Sequence, residues 1–520
     1  MPAAVSSLLF LAWVAGGGFA GGFATIAEAD LERDVQALST PELEGRDSPS
    51  LGLERAAVIV EERFSAAGLV AAYADAADSG FRRPFQRSLP EPEPGGCALE
   101  IPGDAGAPFV LGRDFVPVTG FKGEAEGEIV FAGYGIQSKT ERYDDFAGLV
   151  LKGKVVLVIH AEPRHDRKFD GPELSRAASL WDKIDDLADA GAAGVLAVRR
   201  PAAATAGPRG KSTATTAVAE TALSFRYTWA QWNGVMSDPE PKKRLPVLEV
   251  SMACASAVLG ADVEALAARI DQGQKPVKGP ASKRRVRMQS ATRPASVSID
   301  NVVGLLRGSD PVLAEEFVVV GAHYDHVGVD ARGRIACGAD DNASGVAALL
   351  EIAEALATAG PRRSALFCAF AGEEDGLLGS KAFCGDLPVP KAKIVAMINM
   401  DMIGRGDAGE VAVLGIPQNP SLEKVIARAR KLKPSGLREV VMRQGEELFQ
   451  RSDHYSFHEI GIPVLFFFEG LPIEENEDYH TWRDTVDKVD TGKMLNTTRL
   501  VYNTTWLLTD DDERPPPPQD

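Results

Sequence analysis

At 520 residues the chain is too long for one ordinary hydrophobic core, so two domains are expected, and one can interrupt the other. A formal net charge of −18 argues against nucleic acid as a partner, because phosphate binding needs clustered Lys and Arg. Five cysteines, odd in number and without a CxxC pair, argue against both a thiolate metal site and a disulfide scaffold.

The N-terminal region opens on residues 3–27, which carry no charge and include a strongly apolar stretch at 8–14. Small residues flank Glu28 just ahead of Asp30. The pattern reads as a secretory signal over residues 1–29, without the usual basic n-region, and predicts a secreted or periplasmic protein. Glycines at 16, 17, 18, 21 and 22 argue against a membrane span. Residues 30–69 read as two helices around a turn at 41–46, and the Pro/Gly-rich residues 88–108 as a loop.

Strands at 127–135 and 153–159, a helix at 179–190, and strands at 191–198 and 245–250 then form a β-rich segment. It carries no chemistry that its residues name. An Ala/Thr/Gly-rich stretch, 201–217, reads as a mobile loop. Its Gly210-Lys211-Ser212 fails as a phosphate loop, because the position requiring the first glycine holds Thr205.

From residue 285 the character changes. After strands at 285–291 and 301–307, the run Phe317, Val318, Val319, Val320 reads as a fully buried strand, stopping at Gly321. His323 and Asp325 follow two apart, hence on one side of the strand's end. Residues 338–345 open a helix carrying Val346, Leu349, Leu350, Ala353 and Leu356. A strand at 365–371 ends in Gly372-Glu373-Glu374, one at 394–400 ends in Asp401, and one at 463–468 leads through an acidic loop to Tyr479-His480. A closing helix at 493–508 precedes a polar tail, 510–520, without expected order. Loops leaving the carboxyl edge of a parallel sheet are where α/β proteins place ligands.

Two histidines and several carboxylates without cysteine suit a borderline metal such as zinc, not magnesium or calcium. The candidates are His323, Asp325, Asp341, Glu373, Glu374, Asp401 and His480. Two dications, three ligand carboxylates and one hydroxide sum to zero charge. Adjacent Glu373 and Glu374 cannot both face one ion comfortably, so one binds while the other takes a proton. His326 and His454 are expected to support the fold or stand behind the ligands instead of binding metal, His160, His165 and His458 to lie at the surface, and Asp340 to start a turn or helix.

Six stretches, in order, carry a resemblance: Gly-Ala-His323-Tyr-Asp325-His, Gly-Ala-Asp-Asp341-Asn-Ala-Ser-Gly, Ala-Gly-Glu373-Glu374, Asn-Met-Asp401-Met, Arg451-Ser-Asp453-His454 and Asp-Tyr479-His480-Thr. Together they resemble the two-zinc exopeptidases, the family of bacterial leucyl aminopeptidase and aminopeptidase Y. The resemblance implies a three-layer αβα sandwich with a mostly parallel central sheet over residues 30–118 and 263–510. Residues 119–262 are similar to a protease-associated domain inserted into it. It further implies that Asp341 bridges two zinc ions, with His323 and Asp401 on one and Glu374 and His480 on the other. Glu373 would then be the general base that deprotonates the bridging water, and Asp325 would hold the His323 ring. Tyr479 would donate to the oxyanion, Arg451 would contact a peptide substrate, and the Asp341–Asn342 peptide would be cis. Thr481-Trp482-Arg483-Asp484 departs from the family, where a proline is commoner. The activity implied is that of a zinc aminopeptidase. A two-zinc carboxypeptidase or aminoacyl cyclase is the nearest alternative, and a receptor-like protein that lost the chemistry is the distant one.

Overall fold

The computed structural model describes residues 17–73, 80–164, 169, 175–200, 245–330, 333–442, 445–470 and 476–518; the stretch 201–217, the segment 8–14 and His165 lie outside them. The chain forms two compact units. One comprises Met1–Phe85, Ser298–His326 and Ala336–Asp520, the other Gln86–Val297 and Val327–Ile335.

The first unit is built on a mixed, mostly parallel sheet. Four neighbouring strands, Ser364–Phe370, Phe317–His323, Ile394–Met400 and Val464–Phe468, run parallel. Antiparallel neighbours flank them: Thr292–Leu306 on one side and Glu410–Leu414 on the other. The continuous apolar runs are explained by burial on both faces. Val318, Val320 and Ala322 enter one core, Phe317 and Val319 another. Helices Glu28–Leu38, Gly345–Ala359 and Thr491–Asp510 contribute to the first core, and Leu378–Gly385 and His454–Glu459 to the second. This is a mixed α/β fold around a mostly parallel central sheet, as the resemblance implies.

The second unit holds a seven-stranded sheet whose central strands, Gly123–Phe131, Val155–Ile159, Gly194–Val198 and Val247–Val250, are parallel. It is wider than the expected 119–262, because Ala98–Glu100 and Arg285–Ser290 pair into the same sheet. The residues read as a loop at 88–108 include the end of strand Arg82–Pro92 and all of Ala98–Glu100. Helices Met252–Leu259 and Val263–Gly273, both N-capped by side chains (Ser251 and Asp262), were not expected. His160 is buried in this unit, not at its surface.

The N-terminal segment departs most from expectation. Gly18–Thr25 is a helix packed in the first unit's core, where Phe23 is 5% exposed and Phe19 stacks on Tyr502 at 5.6 Å. A Cβ on Gly22 would lie 2.3 Å from the Ala355 carbonyl oxygen, so only glycine allows this approach. A cut after Ala29, the signal boundary expected from the sequence, would remove Phe23 and Ile26 from that core. A chain beginning at Asp30 is expected to be about 3–5 kcal/mol less stable in urea melts than one beginning at Gly17, the range for losing one buried Phe; equal midpoints would refute this packing. At the other end, Arg362, Arg363 and Arg428 hold Asp511 and Asp512, so the tail expected to lack order is anchored at its start.

Candidate metal centre

Because the four central strands are parallel, their carboxyl ends share one edge of the sheet. His323 is the last residue of its strand, Asp401 directly follows Ile394–Met400, and Glu373 and Glu374 stand just beyond Ser364–Phe370. The loop after Val464–Phe468 returns with Tyr479 and His480. Asp341 arrives from the irregular turn Ala339–Ser344 ahead of helix Gly345–Ala359, and its peptide bond to Asn342 is cis, as expected. Gly338 is obligatory there: its φ is +61°, and a Cβ would lie 2.3 Å from the Asp341 carbonyl and 2.6 Å from the His326 ring.

The side chains converge as two clusters sharing one carboxylate. His323 Nε2 lies 3.2 Å from Asp401 Oδ1, 3.4 Å from Asp341 Oδ1 and 3.9 Å from Glu373 Oε2. His480 Nε2 lies 3.0 Å from both Asp341 Oδ2 and Glu374 Oε2. A tetrahedral ion with bonds of about 2.0–2.1 Å sets its ligand atoms about 3.3 Å apart, so both groups have spacings that fit zinc. Asp341 presents one oxygen to each cluster, the arrangement a bridging carboxylate needs. All five expected ligands are therefore brought together.

Several supports were not read from sequence. The Asn342 amide donates to the Met400 carbonyl at 3.0 Å and accepts from Met402 N at 3.2 Å, joining the Asp341 turn to the Asp401 loop. Ser452 donates to Asp401 Oδ2 at 2.8 Å and accepts from Asn399 at 2.8 Å. Asp484, in the four residues that depart from the family, accepts from the backbone N–H of Asp340 and Asp341 at 2.9 and 3.0 Å. His326 stands behind the ligands, one of the two places expected for it: its Nδ1 is 3.0 Å from Glu374 Oε1 and 3.6 Å from Asp341 Oδ2. Asp325 holds the His323 ring with more than its carboxylate. Nδ1 is 3.3 Å from the Asp325 main-chain oxygen and 3.6 Å from Oδ1, while Oδ1 accepts the Glu373 N–H at 3.3 Å.

The two adjacent glutamates are electrostatically unlike. Burial pushes the Glu373 carboxyl well above the carboxylate range against the pull of His323, and the charges of Glu374 and Asp401 push it further. Burial acts on Glu374 in the same direction, but His480 and His326 hold it well below that range. Neighbouring carboxyls driven apart in this way are suited to separate tasks. Burial works against a charge on His480, yet Glu374 and Asp341 push it up to about 10, so the cluster draws positive charge to itself.

Arg451 and Tyr479 border the same cleft, whose wall is otherwise apolar: Met402, Leu448, Phe466 and Phe468. Arg451 donates to the Tyr479 oxygen at 3.3 Å, and the Tyr479 ring stacks on His480 at 3.8 Å. Burial, then the charges of Asp341 and Glu374, push the Tyr479 phenol well above its ordinary range and keep it a donor. His454, fully buried, stacks on Phe466 at 4.5 Å behind that wall.

Comparison with known proteins bears on the same segment. The family model of peptidase family M28 matches residues 301–505. A probable leucine aminopeptidase of Arthroderma otae is 33% identical over 202 residues, 38% of this chain and 55% of that protein. An aminopeptidase of Pseudomonas aeruginosa is 30% identical over 234 residues, 40% of this chain and 41% of that protein. The match thus spans about half the length of these curated relatives or less. Among solved structures, an aminopeptidase from Aneurinibacillus sp. strain AM-1 aligns over 96% of this chain and 97% of its own at 21% identity and a TM-score of 0.49. The segment that matches the peptidase family M28 model contains every expected ligand of the two clusters, from His323 to His480.

Proposed function

We propose that this protein is a zinc-dependent aminopeptidase that removes N-terminal residues from peptides. The observation that carries the reading is Asp341, whose two carboxylate oxygens face two separate histidine–carboxylate clusters. The names of the relatives, leucine aminopeptidase and aminopeptidase, support the reaction class. His323, Asp401 and Asp341 would hold one zinc, and Glu374, His480 and Asp341 the other. When bound, such a pair supplies a Lewis acid for the scissile carbonyl and lowers the pKa of water.

The remaining steps belong to the chain's own groups. Glu373 accepts the proton of the attacking water and passes it to the departing amine. Asp325 fixes that base through its peptide N–H and steadies the His323 ring, so the two act on one frame. Tyr479 donates its phenol proton in a hydrogen bond to the carbonyl oxygen as that oxygen gains charge, and Arg451 steadies the phenol. The apolar wall favours an uncharged N-terminal side chain.

A panel of aminoacyl anilides and N-blocked peptides, assayed before and after chelation and zinc return, tests the reading. Cleavage of free-amine substrates that chelation stops and zinc restores is expected. Cleavage of blocked or C-terminal substrates alone would indicate a carboxypeptidase or cyclase, and absence of both metal and turnover a receptor-like protein. Tyr479→Phe is expected to lower kcat roughly 100-fold with KM little changed, the usual cost of one oxyanion donor. An equal fall in KM and kcat would remove Tyr479 from the transition state.

A further inference from the structure

We infer that Arg46, which lies outside the segment matched to the family, is a positioning residue of the metal centre; the inference rests on the zinc reading above. Its guanidinium is 1% exposed and all four of its hydrogen-bond acceptors are main-chain carbonyls. Nε donates to Tyr324 O at 2.8 Å, Nη1 to Cys337 O at 2.7 Å and to Leu38 O, and Nη2 to Gly338 O at 2.9 Å. In return the Arg46 carbonyl accepts the His326 N–H at 3.2 Å.

Those partners have a common location. Tyr324 separates His323 from Asp325, His326 faces Glu374, and Cys337-Gly338 leads into Asp340 and Asp341. One planar fork therefore joins the end of the His323 strand to the turn that presents the bridging carboxylate. Asp484 holds that turn by its next two N–H groups. The chain is bent to deliver the fork: Glu44, Gly45 and Arg46 have φ of 48°, 70° and 50°, in the left-handed region that the two non-glycine residues disfavour. Such strain persists only where the surroundings hold it.

Charge and geometry make separable contributions here. Burial works against the Arg46 cation, and the carboxylates of Asp341, Asp484 and Asp325 work for it. A fixed cation by itself opposes a nearby dication, so its benefit to zinc must come from holding the ligand loops in place. Arg46→Lys isolates that term: the charge stays, but three donors on one nitrogen cannot span four carbonyls. Arg363 is the control. It is equally buried and binds the carbonyls of Leu508 and Asp512, remote in sequence from the ligand loops.

The experiment is zinc competition against a chromophoric chelator, with the absorption spectrum of the cobalt-substituted protein, on wild type, Arg46→Lys and Arg363→Lys. The inference expects Arg46→Lys to weaken zinc binding roughly 10–100-fold, as removal of supports behind ligands does. It also expects a shifted cobalt band and a lower kcat at nearly constant KM. Arg363→Lys should lose thermal stability with affinity and spectrum unchanged. Wild-type affinity and spectrum in Arg46→Lys would overturn the inference and leave the zinc reading standing; a wild type that binds no zinc would overturn both. Hydrogen exchange on the unaltered protein gives a test that does not depend on either variant folding. Zinc should slow exchange at residues 38–46 along with 321–328, by the reciprocity of linkage. Slowing confined to 321–328 would overturn the inference.

Discussion

Glu373→Gln is expected to lower kcat roughly 10²–10⁴-fold, the span for losing a general acid–base group, while zinc content stays at the wild-type level. The neighbouring Glu374→Gln is expected to lose zinc as well as activity. Two observations set the pair apart. Glu373 Oε2 stands 3.9 Å from His323 Nε2, farther than Asp401 or Asp341, whereas Glu374 Oε2 is 3.0 Å from His480 Nε2. Burial and neighbouring carboxylates raise Glu373, and two imidazoles hold Glu374 down. A carboxyl that resists ionisation is the better proton acceptor once poised near neutral pH, and one that ionises readily is the better ligand. Metal analysis beside steady-state kinetics decides between the roles. Loss of one zinc equivalent in Glu373→Gln would make Glu373 a further ligand beside His323, Asp401 and Asp341; its position near His323 and Asp401 also permits that.

The candidate ligands are legible in the sequence because of how parallel sheets are made. A strand buried on both faces reads as an unbroken apolar run, and the first polar residue after it lands on the carboxyl edge. Phe317–His323 and Ile394–Met400 announce His323 and Asp401 in that way. What was not legible depends on pairings distant in sequence. Ala98–Glu100 joins Arg285–Ser290 across the second unit, and no local pattern marks that partner, so the boundary was drawn too narrowly. Prolines at 84, 90 and 92 masked strand Arg82–Pro92 for the same reason.

Apolar composition alone does not announce that Gly18–Thr25 is a helix whose Phe23 packs into the core. Arg46 looked like a turn residue because a guanidinium's role depends on which carbonyls the fold brings to it. Ser452 and Asp484 likewise gain their place only when Asp401 and the Asp341 turn come near. The chemistry of the centre is thus written locally at strand ends, and the framework that steadies it is not.

Asp341→Asn carries the other large expected effect, because a single side chain serves both clusters. The amide keeps the shape and presents one oxygen, so it can satisfy one side at most. Zinc content should fall from about two equivalents to one or none, and activity at least as far as in Glu373→Gln. Stability separates this from simple damage. In the zinc-free protein the substitution relieves repulsion from Glu373, Glu374 and Asp401 but also gives up the contacts of Asp341 with the His480 and His323 rings, so opposing terms should leave the melting temperature nearly unchanged. With zinc present the two proteins separate. Ligand at 100 times its dissociation constant stabilises a protein by about 2.7 kcal/mol per site, and the variant should lose most of that gain. Calorimetric scans of wild type and Asp341→Asn, each with and without zinc, read that separation directly. A variant that melts lower than wild type in both conditions while still binding two zinc equivalents would show Asp341 to be a structural carboxylate and move the bridge to another group.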